Sequence, residues 1–466
     1  MLKQVVAVIG STGVGKSQLA VELAKAFGGE IINADAMQMY QGFDILTNKV
    51  TPGEQEGIPH HLLGCLSPNG EYSVTDFEKD ALKKIAEIQA RDRLPILVGG
   101  THYYVQAVLW NQSLVSNRAP LPSQPSTAPF PGLTGEVQDF NSLDNPALYR
   151  LLNTVDPTMA QQWHPNDRRK LVRSLEVYRD TGRPHSEWIR ETQTATHGSQ
   201  RLRFPTCIFW VGADPPTLNP RLDSRVDQMV QRGLLSELEE LRRLEPVTVS
   251  GDRDYTRGIL QAIGLKEFEP MLQQAQMMGV ADYNDPQLDE ARTICLERMK
   301  IGTRQYAKRQ IAWIRNKLLP LFRATEVGPP ASAFYLLDAN HLDAWSARVR
   351  DTAVDVNRAF LASGPLLDPI QVNPAAAPYL NPGQTGPLRS VGDWKKHTCP
   401  ECTEANQGTP LVLNGQAEWE AHRTSRRHRR SLKWLKVQKD KLKYRSTSPA
   451  SIPDSKPTGA TQPRKH

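Results

Sequence analysis

The chain has 466 residues, 39% apolar and 23% charged, with a net charge of +7. That length accommodates two or three domains around a substantial core, and the balance suits a soluble globular protein with a polyanionic partner. Five cysteines exclude a secreted disulfide framework, and no apolar run reaches the roughly 18 residues that span a membrane. The first predicted strand starts at Val5 and leaves no room for a signal or transit peptide. A reducing intracellular compartment is expected, the cytosol first, with mitochondrion and nucleus as alternatives. Nothing demands more than a monomer.

Val5 to Ile9 is a β-branched run that predicts a buried strand, followed by a Gly-rich turn and a helix from Ser17 to Phe27. Glu30 to Ala34 and Leu94 to Val98 read as further buried strands, with an amphipathic helix over Phe77 to Arg91 between them. Thr206 to Val211 is a later strand. Buried strands alternating with helices predict a parallel sheet covered on both faces. Ser116 to Pro146 holds six prolines and reads as a long loop. Pro146 to Arg190 reads as helices. The expected division is a core of 1–115 and 201–325, a helical insertion of 116–200, and a small extension with linker over 326–392, in which Tyr335 to Ala362 reads as a small strand and a helix and Gly364 to Arg389 as the linker. A finger follows over 393–430, then a basic, irregular tail over 431–466. Between Arg423 and Arg445 eleven Lys and Arg stand against one acid, Asp440, a block that can neutralise several phosphates.

Gly10-Ser11-Thr12-Gly13-Val14-Gly15-Lys16-Ser17 fits GxxxxGK[ST] between a strand and a helix. Glycines let backbone N–H groups converge on phosphate oxygens, and the helix N-terminus adds partial positive charge. Lys16 supplies a full charge, and Ser17 suits magnesium. The motif specifies a di- or triphosphate ligand without specifying hydrolysis. A P-loop ATPase also needs an acid at the end of a buried strand. Leu94 to Val98 instead runs into Gly99-Gly100-Thr101. A site that holds a diphosphate as leaving group fits better.

Asp35 and Thr101 follow the second and third predicted strands, at the rim where such sheets bind ligands. Asp35 can accept a proton or cap a helix. Thr101 can donate to a phosphate or cap the next helix. At the other end, Cys399 and Cys402 form a CxxC pair. Nineteen residues lie between Cys402 and His422, and five between His422 and His428. Two thiolates and two imidazoles so spaced suit a tetrahedral structural zinc, with Leu413 and Trp419 as its small core.

The ordered set of Gly10 to Ser17, Asp35-Ala36-Met37-Gln38-Met39-Tyr40 and Gly99-Gly100-Thr101-His102-Tyr103-Tyr104 resembles the tRNA dimethylallyltransferases. Ile58 to Leu62, Asp167 to Lys170 with Arg173, Leu222 to Asp227, Gly258 to Phe268 and Thr303 to Gln310 agree in the same order. The resemblance covers roughly residues 4 to 320, and the terminal finger points to the eukaryotic branch. It implies a P-loop NTPase-like α/β fold: a doubly wound parallel sheet with a helical insertion, a helical C-terminal part of the core and the zinc finger. It also implies transfer of a dimethylallyl group from dimethylallyl diphosphate to the exocyclic amine of adenine 37 in tRNA.

By that analogy Asp35 is the general base. Thr101 and Arg225 contact the diphosphate with the loop Gly10–Ser17 and a magnesium ion. Asp35, Ala36, Met37 and Gln38 meet the flipped base. Arg169, Arg173, Arg304, Lys308 and Arg309 are expected to bind the anticodon stem. The family usually has Ser where this chain has Ala36. Rival readings are an adenylate isopentenyltransferase acting on free nucleotide, a P-loop small-molecule kinase, and an inactive zinc-finger RNA-binding protein. Without the resemblance, a surface helix face also explains Arg225.

Overall fold

A computed structural model describes residues 3–111, 140, 143–195, 201–244, 255, 257–325, 332–380, 396–406 and 411–447. Most of the Pro-rich stretch and the last 19 residues lie outside these. The chain divides into two compact units, Met1–Pro120 with Glu191–Pro387, and Leu121–Arg190 with Leu388–His466.

The first unit is built on six parallel strands: β1 (Val5–Gly10), β2 (Gly29–Asn33), β3 (His60–His61), β4 (Leu94–Gly99), β5 (Thr206–Gly212) and β6 (Ala333–Asp338). Their order is β3-β2-β4-β1-β5-β6. Alternation along β1 divides the core, because successive side chains point to opposite faces. Val6 and Val8 meet Leu19 and Leu23 of the helix Lys16–Phe27 and Phe360 of the helix Thr352–Leu361. Val5, Ala7 and Ile9 meet Phe77 of the helix Val74–Ala90 and Val105 of the helix His102–Leu109. A third cluster joins Leu238, Phe268 and Met299, from the helices Leu234–Leu244, Leu265–Met278 and Asp289–Trp313, to Tyr40, Phe43 and Leu46 after β2. Glu237 fastens that segment further, accepting the N–H groups of Ile45 and Leu46 at 3.0 and 2.8 Å.

Two features depart from the expected division. The segment assigned to a small extension supplies β6, which pairs with β5 from Cys207↔Ala333 to Gly212↔Asp338. Residues read as linker also pack on this unit: Val372 joins the core, Tyr379 lies against Trp210, and Asn373 Nδ2 donates to the Leu336 carbonyl at 3.1 Å. Within the expected core, β3 is not among the predicted strands, since two residues are too short to leave a periodic signal.

In the second unit, Leu148, Leu152, Met159, Leu171 and Leu175 form the core of the helices Asn145–Val155, Pro157–Gln162 and Arg168–Thr181. Asp144, Asp156 and Asp167 cap them by accepting backbone N–H groups. The finger has an antiparallel pair, β7 (Lys396–Thr398) and β8 (Val412–Asn414), then the helices Gly415–Arg423 and Arg426–Thr447. Lys396 Nζ ties it to the helical insertion, donating to the Tyr149 hydroxyl and the Ala160 carbonyl, both at 2.8 Å. The basic segment expected to be irregular from 431 is helical to Thr447. It contains no Gly or Pro, Lys and Arg are good helix formers, and Leu435 is buried. Among the described residues, no helix is long and apolar enough to cross a membrane.

Candidate active site and metal centre

Because β4 lies between β2 and β1, the carboxyl ends of these strands bring Asp35, Thr101 and the phosphate loop to one rim. Close approach there requires Gly99, since a Cβ at that position would overlap the Ala34 carbonyl. A cleft of about 600 Å³ opens over the loop, lined by Thr12, Gly13, Gly15, Lys16, Ser17, Asp35, Gln38, Asn48 and Arg225 among others.

The helix Lys16–Phe27 starts at Gly15, which has φ 91° and no side-chain cap. Its N-terminus is therefore disposed to receive an anion. A Cβ at Gly15 would also stand 2.6 Å from the Trp345 ring. Trp345 in turn donates its indole N–H to Glu22 at 3.1 Å, bracing the helix. Gln310 is the buried strut of the site: Oε1 accepts the Thr12 N–H at 2.8 Å, and Nε2 donates to the Gly100 carbonyl at 3.0 Å. It links the phosphate loop to the end of β4. Gln310 falls within a motif block, but its sequence gave no sign of this role.

Arg225 projects from the helix Pro215–Gln231, where its Nε donates to Asn48 Oδ1 at 2.7 Å and its NH1 to Thr12 Oγ1 at 3.1 Å. Lys16 donates to the Ser11 carbonyl at 2.7 Å. Burial pushes the Lys16 ammonium down to about 8, opposed by Asp35 and assisted by Arg225. Burial raises the Asp35 carboxyl above its ordinary value, while Lys16, the N–H groups of Met37 and Gln38, and Arg225 draw it back. Desolvation likewise lowers Arg225. The site thus holds one half-buried carboxylate with two half-buried cations beside the Gly-rich loop. That arrangement can stabilise a departing diphosphate while leaving a base beside it.

An IPP transferase family model matches residues 38–317, and an isopentenyl transferase model matches residues 3–62. The tRNA dimethylallyltransferase of Schizosaccharomyces pombe is 39% identical over 93% of this chain and 96% of its own length. The human tRNA dimethylallyltransferase is 35% identical over 92% of this chain and 85% of its own length. The chain belongs to the tRNA dimethylallyltransferase family. Its fold superposes on a crystal structure of a eukaryotic dimethylallyltransferase acting on tRNA with TM-score 0.73 and 34% identity, covering 95% of this chain and all of that one.

Ala36, where the resemblance leads to an expected Ser, has its backbone N–H held by Thr101 Oγ1 at 3.0 Å. Gln310 and Thr101 stand near enough to the Tyr306 hydroxyl to oppose in part the rise that burial imposes on it. The hydrogen-bond partner of the Thr101 hydroxyl is therefore the Asp35 loop. Asn33 fixes the same loop, accepting the Asp35 N–H at 3.2 Å and donating to the Leu62 carbonyl at 3.0 Å. Met37 donates its N–H to Asp35 Oδ1 at 3.2 Å. Gln38 lines the cleft, with Nε2 donating to the Asn48 and Thr47 carbonyls at 3.0 and 3.4 Å.

The basic residues that the family resemblance singled out divide between the units. Lys308 and Arg309 are exposed on the helix Asp289–Trp313, and Arg309 lies 5.9 Å from the Tyr306 ring centre. Arg304 is half-buried in an ion pair with Asp223. Arg169 and Arg173 belong to the second unit, exposed and four residues apart on one helix face. Arg173 pairs with Glu176 at 3.4 Å.

In the finger, the ligand atoms of Cys399, Cys402, His422 and His428 all lie within 4.8 Å of one another and all four residues are buried. Cys402 Sγ is 3.4 Å from His422 Nε2 and 3.5 Å from His428 Nδ1, and Cys399 Sγ is 3.5 Å from the same Nδ1. Metal–ligand bonds of about 2.0–2.3 Å give tetrahedral edges of about 3.3–3.8 Å, so the donor set fits zinc in size and chemistry. Trp419 stacks on His397 with ring centres 5.4 Å apart and reaches His422 at 6.2 Å, closing the small core.

Proposed function

We propose that the chain transfers the dimethylallyl group of dimethylallyl diphosphate to the exocyclic amine of adenine 37 in tRNA, next to the anticodon, and releases pyrophosphate. One observation carries this reading: half-buried Asp35 lines one cleft with Lys16 and Arg225 at the phosphate loop, where the neighbouring strand ends in Gly99-Gly100-Thr101 and not in an acid. Negative charge grows on the leaving oxygen as the allylic C–O bond breaks. Lys16, Arg225 and the N-terminus of the helix Lys16–Phe27 meet it. The amine nitrogen forms the new bond to the allylic carbon and yields its proton to the Asp35 carboxylate. Thr101 positions the Asp35 loop through the Ala36 N–H. Ser17 lines the cleft and offers a hard oxygen ligand suited to magnesium, which would add charge neutralisation on the diphosphate.

Incubation with tRNA and either labelled dimethylallyl diphosphate or γ-labelled ATP separates this reading from a kinase. Prenyl label is expected in tRNA, with no phosphoryl transfer from ATP. Phosphorylated product without prenylated tRNA would overturn it.

The site also sets a pH dependence. Asp35 acts as base only when ionised, and its pKa is raised. Lys16 attracts diphosphate only as a cation, and its pKa is lowered to about 8. Accordingly kcat/KM for the donor is expected to climb through the raised Asp35 value and decline above about pH 8, because this parameter reports the free enzyme. A profile level to pH 10 would remove Lys16 from diphosphate binding.

Zinc in the finger would support the basic helix that follows it as a clamp on the tRNA backbone. Cys402→Ser is expected to lose the bound metal and to raise KM for tRNA, with KM for dimethylallyl diphosphate unchanged. Metal analysis by plasma emission and the two KM values check this. Equal KM values for tRNA in both proteins would separate the finger from RNA binding.

A further inference from the structure

Tyr306, Gln310 and Trp313 follow one another at helical spacing on one face of the helix Asp289–Trp313. The first two reach the reaction site, where Tyr306 meets Thr101 and Gln310 bridges Thr12 and Gly100. Trp313 lies about 4.5 Å further along the axis, less than one turn outward. There it meets Tyr103, two residues after Thr101, edge to face with ring centres 6.0 Å apart and planes at 65°. The Tyr103 and Trp313 residues remain 40% and 36% exposed. A single exposed aromatic needs no explanation, but this pair adjoins the site that must receive a base. Exposed Lys308 and Arg309 stand on the same helix. Immediately after Trp313 the helix widens into a π-turn, Ile314–Leu318, a distortion found often at functional sites.

Withdrawing an adenine from an RNA loop leaves its neighbour without a stacking partner, and that exposed face adds to the cost of extrusion. We propose that Tyr103 and Trp313 form a stacking platform for the loop nucleotide adjacent to the acceptor adenine. The inference rests on tRNA as acceptor. The rings provide an apolar surface for any base, and the flanking cations suit its phosphates. Such a contact is made before and during reaction alike, so it acts on binding more than on the chemical step.

The test uses the full chain and two anticodon stem-loop RNAs, with 2-aminopurine on one or the other side of the acceptor adenine. Wild-type protein is expected to quench the fluorescence of one of them on binding. Trp313→Ala should abolish that quench and raise KM for unlabelled stem-loop by about ten- to a hundredfold, with kcat within about twofold. Trp313→Phe should restore most of both. Tyr103→Ser gives a second reading by the same criteria if Trp313→Ala does not fold. Unchanged quenching and KM in a folded variant would overturn the platform, as would a loss confined to kcat. Failure of wild-type protein to prenylate the stem-loop would instead strike the acceptor assignment beneath it.

Discussion

Asp35→Asn is expected to reduce kcat by about 10²–10⁴-fold, the usual contribution of a positioned general base. The amide keeps the size of the side chain and can still accept the Met37 N–H that Asp35 accepts at 3.2 Å. It cannot take the amine proton. KM for tRNA should change little, since the shape of the pocket is preserved. Rapid-quench measurement on preformed enzyme–tRNA complex separates these effects, because it reads the chemical step before product release. A loss of tRNA binding with an unchanged chemical step would assign Asp35 to base recognition and not to proton transfer.

Arg225→Gln should cost about 10²–10³-fold in kcat, the scale seen when a donor aimed at developing charge is removed. The guanidinium is half-buried and held by Asn48 and Thr12, so it reaches the diphosphate without being reordered. Its loss also acts on the base. Arg225 is one of the groups that draws the Asp35 carboxyl down. Without it the Asp35 pKa rises further, and the acidic limb of the pH–rate profile should move to higher pH. Arg225→Lys keeps a charge but cannot span both partners, and should recover only part of the rate. An unshifted acidic limb together with full activity in Arg225→Gln would return this residue to an ordinary helix face.

How much of this was legible in the sequence depended on distance along the chain. The phosphate loop is local, and eight consecutive residues carry its turn, its charge and a hydroxyl of the type that suits magnesium. Asp35 and Thr101 were placed by a general rule of parallel sheets, that strand ends meet the ligand. The finger was readable because its metal chemistry restricts the ligand types. Gln310 was not, since its partner Thr12 is 298 residues away and nothing local distinguishes it from a surface glutamine. Asn48 and Arg225 are 177 residues apart and depend likewise on tertiary folding. At β6 the strand was legible but its place in the sheet was not, because a long helical segment separates it from its parallel partner β5. The basic helix was cut at 431, where an irregular tail was expected, although every residue from Arg426 to Thr447 tolerates a helix.

The most direct test of the account is the choice of acceptor. Full-length protein, magnesium and labelled dimethylallyl diphosphate are combined with unmodified tRNA or with AMP, and the tRNA is then digested to nucleosides. The account predicts label in isopentenyladenosine released from tRNA, absent with Asp35→Asn, and none on AMP. Label on AMP and not on tRNA would contradict it and make the protein a free-nucleotide isopentenyltransferase.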